Sequence, residues 1–224
     1  MKNIGMIVAV EIEAVLNKYG KPIELEYPGY KVYEYKIEDK NLFVIHSGAG
    51  EIAAAMATQF LISQLQVEFI VNFGVVGGLT EEMSLAKTCI VESVIHYDFD
   101  TSEADDCEIG RYDEYPSSYI PTTKEILDRA LTINPDLKPV ICASADKFVG
   151  REEKKKDLHN RFNADICEME AAGIVLTCNR NKVPCLLIKT VSDSISGGAE
   201  EFRRSINESA RICLEITNKI INSL

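Results

Sequence analysis

Short, unbroken apolar runs recur along this chain, each followed by a longer stretch with helical spacing. "IGMIVAV" (4–10), "NLFVIH" (41–46), "EFIVNFGVV" (68–76), "KPVICAS" (138–144) and "VPCLLIKTV" (183–191) have the length and β-branched content of buried strands. "KTCIVESVIHYDFD" begins the same way and ends in an acidic loop. Helical patterns fill the intervals: "EIEAVLNKYG", closed by Gly20, then "EIAAAMATQFLISQL" (51–65), "TTKEILDRAL", "EEKKKDLHNRF", "EAAGIVLTCNRN" and a last run from about 200 to 222. A strand, a helix and another strand in succession require a crossover connection and favour parallel pairing. The pattern predicts one α/β domain over residues 1–224, with a mixed, largely parallel central sheet flanked by helices. No repeat or low-complexity linker interrupts it. The stretch from 97 to 121 is a long acidic loop rich in Tyr, of the kind that is often functional.

Charge and cysteine usage narrow the function classes. A formal net charge of −11 disfavours nucleic acid or an anionic membrane surface as the main partner. No run of 18 apolar residues spans a bilayer, and the N-terminus reads as a first strand rather than a signal peptide. Seven cysteines, an odd number without a C-x-x-C pair, read as small buried hydrophobes in a reducing cytoplasm. The three histidines show no metal-ligand spacing, so neither a metal nor an organic cofactor is expected.

Ligands of parallel sheets bind beyond the carboxyl ends of the strands. Unusual residues cluster at those ends: Glu11 and Glu13, "SGAG", "GVVGG", "ADKFVG", "CEME" and "SDS". The segment 164–178 places Glu168 and Glu170 within a run that otherwise builds core. Ala171, Ile174, Val175 and Cys178 form an i, i+3, i+4, i+7 stripe, so a helix begins near Glu170. If 168–170 is extended, both carboxylates point one way and Met169 the other. A plainer reading puts Glu170 in a helix first turn, where the dipole favours an acid, and makes Asp193 a turn cap. "GAGEIA" (48–53) matches a dinucleotide fingerprint, but the next strand ends in Asn72–Gly74 without the acid that a ribose needs.

Taken together, "IGMIVAVEIEAVL", "SGAGEIAAAMAT", "NFGVVGGL", "ADKFVG", "CEMEAAGI" and "KTVSDS" resemble the nucleoside phosphorylase superfamily, most of all its bacterial methylthioadenosine/S-adenosylhomocysteine nucleosidases. The resemblance covers nearly the whole chain. It implies cleavage of the bond between a purine and C1′ of ribose through an oxocarbenium-like transition state. It also implies a small-molecule nucleoside as partner and a homodimer. On that likeness Asp193 would protonate N7 of the leaving base, and Glu13 would be the general base for water. Glu170 would hold the 2′-hydroxyl and Met169 would pack on the ribose. Phe148 would stack on the base while the Val149 backbone reads its edge. Glu168, Val75, Gly77 and Ser192 would complete the pocket.

The superfamily divides by nucleophile, and phosphorylases need cations for phosphate. This chain has no Arg before Arg111, and its first strand ends in acids, which favours hydrolysis. Val75 stands where the nucleosidases usually carry Ser, and Lys189 where Arg is common; both substitutions bear on the water-holding pocket. The acidic loop lies where the family shapes the 5′ end of its substrate, which suggests a polar or cationic 5′ group. A phosphorylase and a non-catalytic nucleoside-binding protein are the alternatives on this fold.

Overall fold

The computed structural model describes residues 2–224. The elements follow in chain order: β1 (Asn3–Val8), α1 (Ile12–Tyr19), β2 (Ile23–Tyr27), β3 (Tyr30–Ile37), β4 (Lys40–His46), α2 (Glu51–Leu65), β5 (Phe69–Gly78) and β6 (Thr88–His96). Then come α3 (Ser102–Asp105), β7 (Ile120–Pro121), α4 (Lys124–Ile133), β8 (Lys138–Ser144), α5 (Glu152–Phe162), β9 (Ile166–Glu168), α6 (Ala171–Asn181), β10 (Cys185–Asp193) and α7 (Ala199–Ser223). Among the described residues, no helix is long and apolar enough to cross a membrane.

The class is α/β as expected, but the sheet is not largely parallel. β5, β10, β6, β8 and β9 pair in turn, and β9 returns to β5, closing a ring. β1, β4, β3 and β2 extend from β5 as an arm. The β10–β6 and β9–β5 contacts that complete the ring are antiparallel, as are both hairpins of the arm. Those hairpins turn tightly, through Gly29 at φ 84° and Glu38 at φ 54°. Alternation along the chain predicts crossovers, but it carries no information about which edges meet, and closure is decided by edges.

All nine residues of β10 are buried, because β10 has neighbours on both edges and helices behind it. Along β1, Met6 and Val8 face one core with Val15 of α1 and Leu214 of α7, while Ile7 faces the other with Ala54 of α2 and Ile174 of α6. This two-sided burial explains the continuous apolar runs.

α2 and α6 approach closely at Gly173, where an added Cβ would lie 2.4 Å from the Glu51 carbonyl oxygen. Ala in a helix interior gains about 1 kcal/mol over Gly. Here the clash with fixed backbone outweighs that gain. Gly173→Ala is expected to lower stability by about 1–3 kcal/mol, the usual cost of overpacking. Urea unfolding checks this, with a lower midpoint and an unchanged slope.

Candidate active site

Residues following β1, β4 and β8 join the last residues of β5, β9 and β10 around one cleft of about 160 Å³. Its walls are Ala9, Val10, Glu11, Ala49, Val75, Val76, Gly77, Lys147, Phe148, Val149, Cys167, Glu168, Met169, Glu170, Ser192, Asp193 and Phe202. One side is apolar and aromatic: Phe148, half exposed, meets Phe202 of α7 edge-on, with centroids 5.4 Å apart at 69°. The other side carries carboxylates.

Asp193 stands where β10 shifts register against β5 between Val191 and Asp193. The irregularity re-aims the side chain, as bulges beside active sites commonly do. Asp193 pairs with Gly77, whose missing side chain makes room; a Cβ there would sit 3.2 Å from Asp193 Oδ2. Ser192 Oγ lies 3.1 Å from Asp193 Oδ1. Lys155 Nζ of α5, fully buried, lies 2.5 Å from Asp193 Oδ2 and also donates to the carbonyls of Asp193, Ser194 and Gly197. Burial pushes the Asp193 carboxyl above its ordinary range, against the pull of Lys155 and Ser192.

Glu11 accepts from the Val75 backbone N–H at 2.9 Å through Oε1 and from the Val10 N–H at 3.0 Å through Oε2. Gly74 permits this: a Cβ there would stand 3.0 Å from Glu11 Oε1.

Glu168 folds back under the N-terminus of α6. Its carboxylate accepts from the N–H groups of Glu170 and Ala171, from Ser144 Oγ at 2.5 Å, and from Lys189 Nζ at 3.0 Å. Burial alone would raise its pKa, but Lys189 and these donors hold it below the usual carboxylate range. Burial lowers the Lys189 pKa, yet Glu168 and Glu170 outweigh this and raise it. Glu170 accepts from the Gly50 N–H at 2.9 Å, and burial beside Glu168 raises it to about 7.

The sequence-predicted residues Glu168, Met169, Glu170, Phe148, Val149, Val75, Gly77, Ser192 and Asp193 all line this cleft. Glu13 does not. It is exposed on the first turn of α1 and faces a neighbouring groove between α1 and α7. Glu11, one residue before α1, takes the cleft position, because α1 begins at Ile12 and its first turn carries Glu13 away. The 168–170 segment is not extended throughout: Glu170 has φ −134° and ψ −26°, so Met169 lines the cleft beside both carboxylates. Lys189 lies behind the wall as the partner of Glu168.

No residue of the loop 97–121 lines the cleft. Two of its acids are paired with basic side chains: Asp98 with His96 and Lys147, and Glu114 with Arg180. The dinucleotide reading of "GAGEIA" also fails. The Gly50 and Glu51 N–H groups, which would cradle a pyrophosphate, are taken by Glu170 and Asp146.

Sequence reading missed Phe202 and Lys155. Phe202 lies far along the chain on an amphipathic helix, and Lys155 sits in a charged run that looks solvated. The one legible hint for Lys155 was its spacing: it shares a helix face with Leu158 and Phe162, both buried.

A model of the phosphorylase superfamily matches residues 4–222. A 5′-methylthioadenosine/S-adenosylhomocysteine nucleosidase of Haemophilus ducreyi is 31% identical over 197 residues, covering 85% of this chain and 84% of its own. One from Staphylococcus aureus is 28% identical over 216 residues, covering 93% and 94%. The structure of a Helicobacter pylori nucleosidase of the same name, complexed with a pyrrolidinol compound, superposes with a TM-score of 0.93 at 24% identity, covering 100% of this chain and 99% of that one. At that identity the superposition shows the fold.

Lys189 is the cation that keeps Glu168 ionised inside the protein. Lys189→Met is expected to destabilise by about 3–5 kcal/mol, the cost of an uncompensated buried charge. Without its partner, Glu168 in the folded protein would hold a proton to higher pH than in the unfolded chain. The loss is then small near pH 4, below the unfolded value, and grows as pH rises toward the new folded value. Denaturant melts of both proteins at pH 4.5 and pH 8 measure it.

Proposed function

This chain belongs to the phosphorylase superfamily, and from that membership we propose that it is a purine nucleosidase. It hydrolyses the N-glycosidic bond of 5′-methylthioadenosine/S-adenosylhomocysteine-type nucleosides, releasing adenine and the 5-substituted ribose. The observation that carries the reading is the charge layout of the cleft: Asp193 stands apart with its own lysine, while Glu11, Glu168 and Glu170 share the remaining polar wall. Among the described lining residues the one cation is Lys147, which is 63% exposed in its side chain and paired with Asp98. Such a wall repels phosphate and suits water.

The chemistry follows from the environments. The purine lies against Phe148, with Val149 at its edge, and Asp193 delivers a proton to N7 as the bond to C1′ breaks. Lys155 then offsets the charge left on Asp193. Glu11, oriented by the Val10 and Val75 N–H groups, accepts a proton from the attacking water. Glu170 holds the 2′-hydroxyl. Burial beside Glu168 raises its carboxyl to about 7, and in its ionised form it faces the positive ribosyl group. That attraction exists in the transition state and not in the neutral substrate, so it accelerates the reaction. Val10, Ala49 and Phe202 make the remaining wall apolar, which favours a methylthio substituent over a charged one.

The whole chain acts as one domain that needs no metal or organic cofactor, with a small nucleoside as its ligand. Six of the seven cysteines are buried free thiols, which suits the reducing cytoplasm. The exposed Ile52 and Met56 of α2 offer an apolar face for a second copy in a homodimer.

Purine release from methylthioadenosine, S-adenosylhomocysteine, adenosine and inosine, with and without phosphate, tests the reading. Phosphate-independent adenine release is expected, best with methylthioadenosine. Release only with phosphate would make the protein a phosphorylase, and binding without release would make it a nucleoside-binding member of the fold. Glu11→Gln and Asp193→Asn should each lower kcat by about 10²–10⁴-fold, the range for general acid–base groups. Glu13→Gln should stay within about twofold, as expected of an exposed surface position.

Lys155→Met removes the charge that opposes protonation of Asp193. Asp193 then keeps its proton to higher pH, so the alkaline limb of the kcat profile moves up. The maximal rate falls because the ionised acid is no longer compensated. A pH–rate comparison of the two proteins measures both effects.

A further inference from the structure

Glu51 opens α2 behind the ribosyl side of the cleft. It is buried and does not line the cleft. Its Oε1 meets Ser144 Oγ at the end of β8, and its Oε2 accepts from the Gly173 N–H of α6 at 2.5 Å. The same Ser144 Oγ lies 2.5 Å from Glu168 Oε1 and accepts the Ala172 N–H at 3.1 Å.

A hydroxyl has one proton to donate. Ser144 therefore cannot donate to both carboxylates, and one of its two carboxyl contacts must draw its proton from the other side. Glu168 faces an ammonium and two backbone N–H groups besides Ser144, a setting that stabilises an ionised carboxylate. Glu51 has the Gly173 N–H and, among the described residues, no cation within salt-bridge distance. The missing proton belongs on Glu51.

We propose that Glu51 is a neutral carboxylic acid that donates to Ser144, which in turn donates to Glu168, making Glu51 a positioning residue for the Glu168–Glu170 segment. The hydrogen bonds in the chain then run consistently: Glu51 O–H donates to Ser144, Ser144 O–H donates to Glu168, and Glu168 accepts from the N–H groups of Glu170 and Ala171. The charged or titratable groups around Glu51 are Glu168 of β9, Glu170 at the start of α6, Asp146 after β8, which accepts the Glu51 N–H at 2.8 Å, Lys189 beyond Glu168, and the phenols of Tyr97 and Tyr112. Burial first, then Glu168, raises the Glu51 carboxyl to about 8. The role in catalysis rests on the nucleosidase reading above; the protonation does not.

Infrared spectroscopy of the ¹³C-glutamate-labelled apoprotein tests the protonation. A carboxylic acid band assigned to Glu51 is expected at pH 7, absent in Glu51→Gln, displaced in Ser144→Ala, and lost in the wild type as pH rises past about 8. If Glu51→Gln fails to fold, the wild-type titration and the Ser144→Ala displacement carry the assignment. A wild-type spectrum at pH 7 without a band that responds to these changes would overturn the proposal.

Kinetics test the positioning. Loss of the Glu51 proton as pH rises past about 8 should raise the wild-type KM several-fold between pH 7 and pH 9. Glu51→Gln donates to Ser144 at any pH, so its KM should lack the Glu51 contribution and keep only the pH dependence it shares with the wild type through Glu170. Parallel KM profiles in the two proteins would overturn the positioning role. Should no nucleoside be turned over at all, the nucleosidase reading falls and the spectrum still decides where the proton resides.

Discussion

Four buried carboxylates, Glu11, Glu51, Glu168 and Glu170, gather behind and along one wall of the cleft, and a single buried ammonium, Lys189, lies among them. Burying an unpaired charge costs several kcal/mol, so such a cluster persists only if each member is neutralised in its own way. Glu168 takes the ammonium and the N-terminus of α6. Glu11 takes two backbone N–H groups. Glu51 and Glu170 are pushed toward their neutral forms. Chemically identical side chains thereby acquire different tasks, and the Glu168–Lys189 pair is the contact around which the others arrange themselves.

That pair is a product of ring closure. Glu168 ends β9 and Lys189 lies in the middle of β10, and both strands pair with β5. Gly74 and Gly77 of β5 are the two places where the absence of a side chain lets Glu11 and Asp193 lie against the strand. The register shift of β10 sets Asp193 opposite Gly77 and within reach of Lys155. The acid and the carboxylate cluster thus share one strand as a spacer, yet each has its own lysine. Under the proposed mechanism Asp193 donates a proton and the glutamate wall stabilises positive charge; these tasks need opposite electrostatics, and the spacing keeps them from cancelling.

Local structure was legible where one helix face or one strand run settles the matter. The limits of α2 and α5 coincide with the pattern read from residues 51–65 and 152–162. β9 is three residues long and β7 two, too short for any periodicity to register. The site was legible as a set of strand ends, because the topology of α/β folds puts ligands there. It differed by two residues at Glu13: the motif contains two glutamates, and the start of α1 at Ile12 turns Glu11 into the cleft and Glu13 toward the neighbouring groove. Lys155 was hidden for a related reason. A lysine among charged residues looks solvated until a buried carboxylate is known to lie opposite.

The sequence by itself determined the α/β class, most element boundaries, and the identity of the acids at the strand ends, since these depend on residue type and on spacing along the chain. The tertiary structure decided the closed ring, the choice of Glu11 over Glu13, the pairing of each lysine with its carboxylate, and the proton count around Ser144. Those depend on distances of a few ångströms between residues far apart in the chain. Burial makes such distances decisive, because in a medium of low dielectric the nearest partner sets whether a group is charged.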